Sequence, residues 1–98
     1  MTTALKDTVR IAAVGDLHCP RTPDDLLRTL FNYVNDEADL FLLCGDLTDY
    51  GKPSEASALA KLLAVVRIPM LGVLGNHDYE SGKASEVERI LCDAGVIM

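Results

Sequence analysis

The sequence predicts an α/β fold built on a parallel sheet, in the order β-α-β-α-β-α-β. Three observations carry this reading. Four short apolar runs recur along the chain, near-continuous rather than alternating, as in strands of a parallel sheet. The stretches between them place apolar residues at helical spacing. The first three runs each end on a glycine followed at once by an aspartate or an Asn-His-Asp group. Strands alternating with helices pair in parallel through crossovers of one hand, so the strand ends share one edge.

In chain order, Val9 to Val14 (V-R-I-A-A-V) is the first strand, read as buried on both faces. Gly15 ends it, Asp16-Leu17-His18 follows, and Cys19-Pro20-Arg21 forms a loop. Thr22-Pro23-Asp24-Asp25 predicts a helix start, with Thr22 as cap, Pro23 first in the helix and two acids at the positive end of the dipole. Leu26, Leu27, Leu30, Phe31 and Val34 then share one helical face. Leu40 to Cys44 is the second strand, delivering Gly45-Asp46 and then Leu47-Thr48-Asp49-Tyr50-Gly51. Pro53 opens a second helix whose apolar face is Ala56, Leu59, Ala60, Leu63 and Val66. Pro69 cannot continue it and biases Ile68 away from helix. Met70 to Leu74 is the third strand and delivers Gly75-Asn76-His77-Asp78. Ser85-Glu86-Val87-Glu88 resembles a capping box, with Val87, Ile90, Leu91 and Ala94 at helical spacing and Gly95 as the stop. Val96-Ile97-Met98 reads as a fourth strand.

Ninety-eight residues make one small domain or part of a larger one. A hydrophobic share of 49% with 24% charged residues is globular composition. Fifteen acidic against nine basic residues give a net charge of −6. That disfavours a nucleic-acid backbone or an anionic membrane as partner and suits a protein that binds cations. Aromatic residues are 5% with no Trp, which argues against a base-stacking surface. Cys19, Cys44 and Cys92 are an odd number without framework spacing, read as small apolar residues in a reducing compartment. Cys19 and Cys44 remain minor candidates as thiolate ligands. Met1 to Asp7 is polar, and no run approaches the ~20 apolar residues of a membrane span. A cytoplasmic protein is expected.

Asp16, His18, Asp46 and Asn76 form a mixed oxygen and nitrogen donor set. Taken singly, Asp16 reads as a turn cap, His18 as a surface residue and Asp46 as an Asx-turn. Three such clusters at the same place relative to three strands are read together as a metal site. Asp-x-His straight after a strand would aim both side chains one way, since residues two apart in a strand point alike. Imidazole among the oxygens moves the preference from magnesium or calcium toward manganese, iron or zinc.

These motifs resemble those of the calcineurin-like metallophosphoesterases. Asp16-x-His18, Gly45-Asp46 and Gly75-Asn76-His77-Asp78 match the first three motifs of that family in order and placement, from about Val9 onward. The resemblance implies half of a four-layer α/β/β/α sandwich with two divalent metal ions and a phosphoester substrate. It implies that Asp16 and His18 hold the first metal, that Asp46 bridges, and that Asn76 holds the second. It makes His77 the group that protonates the leaving oxygen or stabilises the phosphoryl group. Asp49 is placed as the carboxylate paired with His77, and Asp78 as its alternative. Two ions ~3.5–4 Å apart would activate a shared water and clamp the phosphoryl oxygens. Departures narrow the reading. Asp49-Tyr50-Gly51 stands where protein phosphatases of the superfamily carry Asp-Arg-Gly, and Cys19 stands where they have Gly. The wording is closer to the bacterial phosphodiesterase branch.

The family draws further His ligands from later motifs, whereas both His residues of this chain are already assigned. The chain is therefore expected to be the N-terminal portion of a single phosphoesterase domain. By itself it is expected to be inactive, and to self-associate or need its C-terminal half. The competing reading is a non-catalytic metal-binding or interaction module that keeps the half-fold. A P-loop enzyme is set aside, because no Gly-x-x-x-x-Gly-Lys-Ser/Thr occurs.

Overall fold

Four parallel strands lie side by side in the order in which the chain makes them. The computed structural model describes residues 7–98, so the polar start at residues 1–6 lies outside the described residues. The elements are β1 (Ile11–Val14), α1 (Asp24–Glu37), β2 (Leu40–Cys44), α2 (Pro53–Leu63), β3 (Met70–Val73), α3 (Ala84–Asp93) and β4 (Val96–Ile97), with a 3₁₀ turn at Asn76–Tyr79. The sheet order is β1-β2-β3-β4, and every pairing is parallel. The expected alternation of strands and helices is what folds; the 3₁₀ turn is the addition. Among the described residues no helix is long and apolar enough to cross a membrane.

The register sorts the sheet into two unlike faces. Ala12 pairs with Phe41, Phe41 with Met70 and Met70 with Val96, which puts these four in one row. Phe41, Leu43, Met70 and Val96 are buried there under Leu27, Phe31 and Val34 of α1, Leu59 and Leu63 of α2, and Val87 and Leu91 of α3. Phe31 meets Phe41 edge to face at 5.8 Å between ring centroids, a geometry that adds about 0.5–1.5 kcal/mol to their area burial. The opposite face carries Ile11, Leu71, Val73 and Ile97, all exposed. The expectation of strands buried on both faces is thus corrected. Near-continuous apolar runs fit two covers, but within residues 7–98 the three helices supply one.

Helix boundaries differ from expectation where side chains find other partners. Thr22 does not cap α1; its hydroxyl donates to the Leu17 carbonyl at 2.6 Å, tying the loop after β1 to the helix entry. Leu26 points outward, 63% exposed, and the packed face is Leu27, Leu30, Phe31 and Val34. In α2 Leu62 is buried, a position not assigned to the apolar face, while Ala60 is only half-buried. Ser85 does not cap α3, because that helix already begins at Ala84. Gly95 ends it as expected, in the left-handed region at φ 101°.

Candidate metal centre

The loops that leave β1 and β2 are laced together by their backbones, and this sets the site. Asp16 N–H donates to the Gly45 carbonyl, His18 N–H to Asp46, Cys19 N–H to Leu47, and Asp49 N–H back to Cys19, at 2.9–3.1 Å. Asp16, His18, Asp46 and Asp49 are therefore brought side by side by main chain, beyond the last paired strand residues. Asp16, His18 and Asp46 offer one donor atom each within 4.8 Å of one another. His18 Nε2 lies 3.8 Å from Asp16 Oδ1.

All three of these residues stand in the left-handed region, at φ 55° for Asp16, 45° for His18 and 50° for Asp46. Non-glycine residues there are uncommon, a conformation that persists only when its surroundings over-determine it. This revises how the side chains converge. Strand alternation does not aim Asp16 and His18, since neither is in a strand. The left-handed turns and the lacing of the two loops aim them.

The third motif joins through its glycine. Gly75 has an extended backbone, and a Cβ there would collide with the Asp46 nitrogen and carboxylate, so only hydrogen lets β3's exit pass this close. His77 N–H then donates to Asp46 Oδ1 at 2.9 Å. Asn76 is exposed at the start of the 3₁₀ turn, next in sequence to that contact. The His77 and His18 rings stand edge to face, 4.7 Å between centroids.

His77 Nδ1 is 2.8 Å from the Asp49 backbone carbonyl and 3.6 Å from Glu80 Oε1. A carbonyl only accepts, so Nδ1 carries a hydrogen and Nε2 is left as the nitrogen that gains or loses a proton. The hydrogen bond to Asp49 is the main influence raising the His77 pKa above the ordinary histidine value, with Glu80, Asp46 and Asp49 adding to it against partial desolvation. Asp49 thus meets His77 through its main chain. Its carboxylate turns instead to Arg21 Nη2 at 2.9 Å and His18 Nδ1 at 3.6 Å.

Asp78 is not an alternative partner for His77. It is fully buried, and its carboxylate accepts from Leu47 N–H (3.2 Å), Thr48 N–H (2.8 Å), the Thr48 hydroxyl (2.6 Å) and Gly75 N–H (2.9 Å). It pins the second loop to the third. Glu55 does the same within the second loop, accepting from Tyr50 and Lys52 N–H at 2.9 and 3.0 Å. Thr48, Glu55 and Arg21 were not singled out in the sequence. Glu55 carried a legible signal, three residues past Lys52 at a helix start, whereas Thr48 and Arg21 carried none.

The donor chemistry fits a divalent cation: two carboxylates and an imidazole nitrogen converge, and the second ring nitrogen of His18 faces a carboxylate. The thiols do not join it. Cys19 is fully buried in the core, and burial is the main cause raising its pKa to about 11, so it stays a thiol near neutrality.

Residues 9–94 match the family model described as calcineurin-like phosphoesterase. No curated protein matches the chain.

Proposed function

The chain belongs to the calcineurin-like phosphoesterase family, and from that membership we propose that it carries the first part of a metal-dependent site for hydrolysing phosphodiesters. Asp16, His18 and Asp46 would hold one divalent cation, and Asp46 and Asn76 a second. Manganese, iron or zinc suits the mixed donors. Such ions polarise phosphoryl oxygens and lower the pKa of water. The chain's own residues supply the rest. His77, with Nδ1 committed to the Asp49 carbonyl, has Nε2 free to give a proton to a leaving oxygen. Its backbone N–H fixes the orientation of the Asp46 carboxylate.

The observation that carries this reading is the convergence of Asp16, His18 and Asp46 in one cluster, with the His77 ring edge to face against His18. The donor count supports a further step. The second ion would have only Asp46 and Asn76, with no imidazole, whereas tight zinc-like sites use at least three protein ligands. We read residues 1–98 as the N-terminal portion of one domain, with the remaining ligands and the second sheet supplied from outside them. The unpaired thiols suit a reducing, cytoplasmic setting. The isolated chain is expected to bind metal weakly and to show negligible turnover.

The test is hydrolysis of bis(p-nitrophenyl) phosphate, with p-nitrophenyl phosphate as the monoester comparison. It is run on the chain alone and on a form extended by the rest of the domain proposed above. Activity of the extended form should vanish on chelation and return with manganese, iron or zinc. Turnover that survives complete metal removal defeats the metal reading, and a faster monoester defeats the diester preference.

A further inference from the structure

We propose that Asp49 is a positioning residue for His18, held in place by Arg21, and that this pair decides which ring nitrogen of His18 carries the proton. Only the consequence for metal binding rests on the function proposed above; the pairing itself concerns the ring.

The lacing of the two loops brings Asp49 to His18. Cys19 and Thr48 form a parallel bridge, and Asp49 N–H donates to the Cys19 carbonyl at 3.1 Å. Asp49 is 8% exposed. Its Oδ1 and the Nδ1 of His18 are both shielded from solvent, and neither makes an aligned hydrogen bond. They face each other at 3.6 Å. A closure of roughly 0.7 Å would give an ordinary N–H···O bond. His18 Nδ1 has no hydrogen-bond partner at that separation, and leaving a buried polar nitrogen unmet is costly, so closure is favoured. An ionised carboxylate only accepts, so the closed pair requires the hydrogen on Nδ1. Nε2 then keeps its lone pair on the side of Asp16 Oδ1, 3.8 Å away.

Arg21 secures the carboxylate from the solvent side. Its Nη2 sits 2.9 Å from the same Oδ1, and its side chain is 62% exposed. A charge-assisted contact of this kind holds the Asp49 carboxylate in its orientation. Arg21 N–H also donates to the His18 carbonyl at 2.7 Å, so the arginine and the histidine it serves are tied to each other. One residue thereby serves both imidazoles. The Asp49 carbonyl fixes His77, and the Asp49 carboxylate fixes His18. Imidazoles that ligate metals characteristically donate their other N–H to such a group, and losing it lowers metal affinity about 10–100-fold.

The chain has two histidines, so the ring nitrogens can be assigned without crowding. Long-range ¹H–¹⁵N spectra of the metal-free protein, recorded at alkaline pH, read the tautomers directly. His18 should be mainly Nδ1–H in the unmodified chain. Arg21→Gln and Asp49→Ala should both move it toward Nε2–H. Calorimetry with Mn²⁺ is the second readout. Each variant should weaken binding about 10–100-fold, and Asp49→Ala should add nothing in a His18→Ala background. An Nε2–H tautomer in the unmodified chain, or a ratio that neither variant moves, overturns the proposal even if Mn²⁺ binds. An Nδ1–H tautomer that both variants shift upholds it even if Mn²⁺ does not bind, and in that case the metal reading falls instead. If Asp49→Ala does not fold, the exposed Arg21→Gln and the unmodified chain still decide the matter.

Discussion

The Asp78 carboxylate takes both the backbone N–H and the hydroxyl of Thr48, at 2.8 and 2.6 Å, with both residues buried. Its other oxygen takes Leu47 and Gly75 N–H. A fully buried carboxylate is tolerable only with such a set of donors. Asp78→Ala leaves four donors unmet, and each buried unsatisfied group costs about 1–3 kcal/mol. We expect a loss of at least ~3 kcal/mol in urea unfolding, with Asp78→Asn intermediate because only one of its side-chain atoms accepts. Wild-type stability in Asp78→Ala would mean these bonds do not hold the second and third loops together.

Gly75→Ala places a Cβ against Asp46. Relief requires the exit of β3 to move away from the loop that carries Asp46. Overpacking of this kind costs about 1–3 kcal/mol. The effect on metal binding should exceed the effect on stability, because the residue displaced is itself a proposed ligand. Parallel thermal unfolding and Mn²⁺ calorimetry check this. A large stability loss with unchanged affinity would place the strain elsewhere.

The frame of the molecule was legible from local pattern. Leu40–Cys44 coincides with the second apolar run, Pro53 opens α2, and Gly95 closes α3. Those signals act within a few residues of themselves. The partners of Asp49 and Asp78 were not legible, because both depend on which oxygen of a residue faces which loop. Asp49 was expected to meet His77 by its carboxylate and meets it by its carbonyl. Asp78 lies in a motif rich in functional side chains yet is used up by three backbone N–H groups and a hydroxyl. The left-handed turns at Asp16, His18 and Asp46 were hidden for a related reason: residue type biases a backbone only weakly, and the lacing that imposes these turns is tertiary.

His77 and Asp46 should separate turnover from metal content. His77 touches Asp46 through its backbone N–H, which His77→Ala retains. The substitution removes only the ring. Turnover of the extended form should fall about 10²–10⁴-fold, the usual worth of a general acid, with bound metal preserved. Asp46→Ala should lose metal, since it deletes the one carboxylate proposed for both ions. Metal analysis of the purified variants decides. Equal metal loss in both would make His77 a ligand and end its assignment as proton donor.

The uncovered face of the sheet carries the last prediction. Register places Leu71 beside Ile97, and Val73 beside Cys44, in the rows turned away from the helices. Ile11, Leu71, Val73 and Ile97 are each at least 39% exposed there. Single exposed apolar residues are ordinary, but a contiguous apolar patch on a sheet drives association. The burial worth about 25 cal/mol per Å² is left ungained while the face stays open. The 98-residue chain by itself should therefore sediment as oligomers, increasingly so with concentration. Val73→Lys together with Ile97→Lys should return it to monomer, because each lysine would have to lose its hydration to be covered. Neither side chain touches the helix-covered core, so unfolding stability should change little. A monomeric parent chain, or oligomers indifferent to both lysines, would show that association does not proceed through this face.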